Sequence, residues 1–93
     1  MPELSRFFGI IITLYYDDHG PHYDDHGPPH FHVRYSNQRA LVSIDGLSVI
    51  AGELSPRVRG LVVEWAALHR GELREAWNLA VQHAPLKPIA PLE

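Results

Sequence analysis

The sequence contains no cysteine. Disulfide scaffolds, cysteine nucleophiles and thiolate metal sites are therefore excluded. Long apolar runs are missing as well. Stretches such as Ile10-Ile11-Ile12 are far too short to span a bilayer. The start of the chain lacks a basic stretch followed by a long apolar run, so no leader is read and a cytoplasmic protein is expected. Basic clusters of the kind that non-specific nucleic-acid binding needs are also lacking. What is present fits one globular domain over residues 1–93, with 45% hydrophobic and 20% charged residues.

The formal net charge of −3 is unevenly spread. Residues 16–29 hold Asp17, Asp18, Asp24 and Asp25 with no Lys or Arg, and the remainder is close to neutral. The same stretch opens a histidine cluster: His19, His22, His26, His30 and His32 are five of the seven histidines in the chain. It is also a repeat. Tyr16-Asp-Asp-His-Gly-Pro-His22 is followed at once by Tyr23-Asp-Asp-His-Gly-Pro-Pro29. Seven residues cannot form a stacking repeat unit. The pattern is a tandem duplication inside a loop, where doubling the length costs only about 0.6 kcal/mol in closure entropy. A loop lengthened in this way also allows an element to exchange between protomers, giving a domain-swapped homodimer.

Around this loop the pattern is that of an α+β domain. Phe7 to Tyr16 is β-branched and aromatic with no separable helical stripe, and is expected to be one strand. His30 to Ser36 alternates, with Phe31, Val33 and Tyr35 on one face and His30, His32 and Arg34 on the other. Asn37-Gln38 suits a tight turn. Arg39 to Asp45 forms a third strand with Ala40, Val42 and Ile44 inward, and Asp45-Gly46 marks the next turn. Ser48 to Glu53 is a fourth, weaker strand. Ser55-Pro56 is an N-cap followed by proline at the first helical position. Val58, Leu61, Val62, Trp65 and Leu68 recur at helical spacing, Gly71 interrupts, and a second helix runs from about Glu72 to His83. His83 is expected to fray. Pro85, Pro88 and Pro91 give residues 84–93 an extended, proline-spaced character, a tail lying on the domain or on a partner. The expected architecture is β-β-β-β-α-α: a small antiparallel sheet with two C-terminal helices packed on one face.

The segment Tyr23-Asp-Asp-His-Gly-Pro-Pro-His-Phe-His-Val-Arg-Tyr35 carries a family resemblance. Together with Ser5-Arg6-Phe7-Phe8-Gly9-Ile10, Gly52-Glu53-Leu54, Glu64-Trp65-Ala66-Ala67-Leu68-His69 and Trp77, it resembles the bacterial domain-of-unknown-function family 4160. The resemblance covers about residues 2 to 92, and the chain departs from the family pattern in its doubled heptad. In that family the gene often neighbours one for another small protein. Such an arrangement resembles a toxin–antitoxin pair and implies a small protein partner encoded beside this chain.

Three functional readings follow for the His/Asp segment. In the first it binds a transition metal. His30 and His32 lie two apart on a strand, His26 comes from the preceding turn, and Asp24, Asp25 and His19 stand nearby. Imidazole with carboxylate suits Zn, Ni, Cu or Fe(II). In the second, His30, His32 and Arg34 form a metal-independent ribonuclease site, with one imidazole as base, one as acid and the guanidinium holding the phosphate. The acidic loop would repel RNA, so this reading is not favoured. In the third, the strand face and a sheet edge dock a partner protein, in a chain that stays off the membrane. Partner binding with a metal-capable loop is the leading expectation. Trp65 and Trp77 fall at core positions of the helices.

Overall fold

Phe8 and Gly9 decide where the first strand ends. Both lie at positive φ, 51° and 81°, as a two-residue type I′ hairpin turn requires. A computed structural model describes residues 3–15 and 28–93, and in it β1 (Glu3–Phe7) turns through this pair into β2 (Ile10–Thr13). The single strand expected over Phe7–Tyr16 is thus part of a hairpin, and among the described residues the sheet has five strands where the sequence suggested four. An aromatic residue ahead of glycine has strand propensity and carries no visible turn signal.

The remaining strands are β3 (His30–Tyr35), β4 (Gln38–Ser43) and β5 (Val49–Glu53). Their spatial order, β1-β2-β3-β4-β5, is their order in sequence, and every pairing is antiparallel. Tyr35 pairs with Gln38, so the β3–β4 turn is Ser36-Asn37, one residue earlier than expected, with Ser36 at φ 54°. Two bulges break the regularity. One lies between Glu3 and Ser5 in β1, the other where β5 passes from Ala51 to Val49 opposite Leu41 and Val42.

Helix α1 (Pro56–Leu68) begins as the sequence indicates. The Ser55 hydroxyl accepts from the Val58 N–H at 3.4 Å, and Pro56 occupies the first turn. A donor that would otherwise be orphaned is thereby satisfied. Helix α2 (Arg70–Val81) starts earlier than expected. The break falls at His69 (φ −123°), and Gly71 sits inside the first turn of α2. The other end of α2 is capped. His83 adopts φ 55°, its N–H donates to the Ala80 carbonyl at 3.0 Å, and the Ala84 N–H donates to the Leu79 carbonyl at 2.9 Å. That is a Schellman closure, so His83 holds the helix end where fraying was expected.

Both helices cover one face of the sheet. Leu4, Phe7, Ile10, Ile12, Leu14, Phe31, Val33, Val42 and Ile44 meet Val58, Val62, Trp65, Leu73, Trp77 and Ala80 in one core. Trp65 is its centre, with ring centroids 5.4 Å from Phe7 and 6.0 Å from Phe31. The proline-spaced tail lies on the domain. Ile89 is buried, its N–H donates to the Leu4 carbonyl at 2.7 Å, and the Trp65 indole donates to the Ala90 carbonyl at 2.8 Å. Among the described residues no helix is long and apolar enough to cross a membrane.

Candidate functional site

Among the described residues, the other face of the sheet carries no helix. Side chains alternate across a strand, so the register fixes who shares that face. One row across the strands runs Arg6, Ile11, Arg34, Arg39 and Glu53. The next runs Glu3, Thr13, His32, Leu41 and Ala51. Glu3 and Arg6, three apart, would point to opposite faces of a regular strand. The bulge in β1 brings them to the same side. There the Arg6 guanidinium donates to both carboxylate oxygens of Glu3, at 2.8 and 3.3 Å. These hydrogen bonds hold the Glu3 carboxyl below its ordinary range and raise the Arg6 guanidinium.

These rows line a groove of about 370 Å³ whose wall includes Tyr15, His32, Arg34 and Arg39 and whose floor includes Ile11, Leu41 and Ala51. The Tyr15 and His32 rings meet edge to face at 4.3 Å. A cavity of this size, apolar beneath and polar at its rim, is of the kind that binds small ligands.

His32 and Arg34 share the open face as the alternation predicts. His30 is different. It is only 7% exposed, although the sequence placed it on the same solvent-facing side. At the first position of β3 its ring reaches the helices and lies 5.3 Å from Trp77. Its Nδ1 donates to the Pro28 carbonyl at 3.1 Å. His30 and His32 have ring centroids 5.5 Å apart. Two imidazoles bound to one ion have centres roughly 5 Å apart, from Zn–N bonds of about 2 Å. An Nδ1–H held by a backbone carbonyl is also the usual support for a ligating histidine. The spacing of this pair is compatible with two imidazoles on one ion. His19, Asp24, Asp25 and His26, the other ligands suggested by the sequence, lie outside the described residues. Among the described residues no group of three or more His, Cys, Asp or Glu forms a metal cage.

Sequence reasoning did not single out Arg39 or Tyr15 as partners of Arg34 and His32. The signal available was the strand register, since Arg39 faces Arg34 once Tyr35 and Gln38 are paired across a two-residue turn.

A family model described as Domain of unknown function (DUF4160) matches residues 9–78. No curated protein and no solved structure matches the chain.

Proposed function

The chain belongs to the DUF4160 family, and on that premise we propose that it is a binding component of a toxin–antitoxin-like two-gene module. Its open sheet face is the docking surface for the small protein encoded beside it, and the His/Asp segment at the start of β3 binds a transition metal. The observation that carries this reading is the sheet face that no described helix covers, with a groove set between charged side chains. A sheet with one face packed and one face free has a surface available for association without unfolding.

Co-expression with the neighbouring gene product tests it. The two proteins should co-elute, and Leu41→Glu on the groove floor should separate them. Val81→Glu, on the exposed side of α2, should leave the complex intact. Separate elution of the unaltered proteins would remove the docking role. For the metal, calorimetric titration with Zn²⁺ or Ni²⁺ should show a stoichiometric site that His32→Ala abolishes. An undefined stoichiometry in the unaltered protein would refute it.

A metal-independent ribonuclease using His30, His32 and Arg34 receives less support. General acid–base catalysis needs both imidazoles within reach of the scissile phosphate, and His30 is enclosed between His32 and Trp77. RNA cleavage in excess chelator, abolished by His32→Ala, would restore that reading.

A further inference from the structure

Arg34 and Arg39 stand directly opposite each other on adjacent strands. Like charges so placed destabilise a sheet. Elsewhere on the surface Arg6 holds Glu3 and Arg74 holds Asp45 at 2.7 Å. Arg34 and Arg39 have no hydrogen bond or ion pair among the described residues, although Glu53 is the register neighbour of Arg39. Two guanidiniums, each with five donors in a fixed fork, thus line the groove without an ion pair among the described residues, and the acid in its lining, Glu3, is held by Arg6. We infer that this pair is an oxyanion clamp and that the groove binds a compact phosphate monoester carried on a flat or apolar body.

Charge and size select that ligand. A phosphate monoester carries about −1.5 to −2 at neutral pH and three terminal oxygens, enough to match both arginines. A lone carboxylate matches one. Along the strands the next row lies about 6.6 Å away, at roughly 3.3 Å per residue. There the groove offers Leu41 and Ala51 beneath and the Tyr15–His32 ring pair at the side. An aromatic or apolar group extending from the phosphate would rest on those side chains. The groove volume of about 370 Å³ suits one mononucleotide-sized molecule. A long polynucleotide is disfavoured, because the chain carries a net −3. The groove lies on the sheet face proposed above as the docking surface, and titrating the chain without its partner tests ligand binding separately.

Adenosine monophosphate is the probe, titrated into the full chain by calorimetry at physiological salt. Saturable one-to-one binding is expected, with adenosine and inorganic phosphate each weaker by about tenfold or more. Arg34→Gln and Arg39→Gln should each weaken it by about tenfold, while Arg74→Gln, at the distant pair with Asp45, should change it less than about twofold. Absence of binding at millimolar adenosine monophosphate would overturn the proposal. So would affinity insensitive to both groove variants. A short single-stranded RNA that binds about a hundredfold more tightly, with a steep salt dependence, would overturn it in favour of a polymer surface.

Discussion

Gly52 lies where β5 crosses closest to the backbone of β4. Its φ is +77°, and a Cβ there would stand 2.2 Å from the Arg39 carbonyl oxygen. No side-chain movement can relieve a clash with backbone, so Gly52→Ala should destabilise the fold by about 3 kcal/mol or more in denaturant unfolding. The Glu3–Arg6 pair makes a gentler prediction. Arg6 lowers the folded-state pKa of Glu3 below its ordinary value of 4.5. A depressed carboxylate contributes stability that is present above its unfolded pKa and is lost as pH falls through the folded one. Arg6→Gln should therefore return the Glu3 titration, followed by NMR, toward its ordinary midpoint and flatten the acid limb of the stability profile. Both groups are exposed, so the effect on stability is small and screened by salt.

At the scale of elements, the tail is held by two backbone-directed hydrogen bonds and one buried side chain, Ile89. Trp65→Phe removes the indole donor to Ala90 and part of the core volume. The cost should be about 2 kcal/mol, with faster amide exchange concentrated at residues 86–92. Much of this level was legible in the sequence, and the reasons are local. Ser55-Pro56 is a start signal that works through two groups close in the chain. The alternation of β3 writes both faces directly. The Phe8-Gly9 turn was hidden because only glycine signals positive φ and the phenylalanine speaks for a strand. The break at His69 was assigned to Gly71 because glycine is the commoner interrupter, whereas a helix tolerates it in a first turn. The arginine pair could not be read from either strand alone, because it exists only in the register between β3 and β4.

On the scale of the whole molecule, the tail completes the core. A domain of this length has roughly 5–14 kcal/mol of stability at about 0.05–0.15 kcal/mol per residue. Deleting residues 84–93 exposes the cleft filled by Ile89, at about 2–3 kcal/mol, and leaves the Leu4 carbonyl and the Trp65 indole without partners at about 1 kcal/mol each. The shortened protein should melt about 15 °C lower or more, at roughly 4–8 °C per kcal/mol. An unchanged melting temperature would show that the tail does not contribute to the core.

The two borders of the sheet are therefore unequal. Both β1 and β5 are outer strands, and among the described residues the C-terminal segment takes up the Leu4 carbonyl along β1. Two copies that meet along β5 do so through like borders. Such a junction has two-fold symmetry and is complete once made. Strand-to-strand contact through β5 thus ends at a pair, and extension beyond it would need the border that the tail partly occupies.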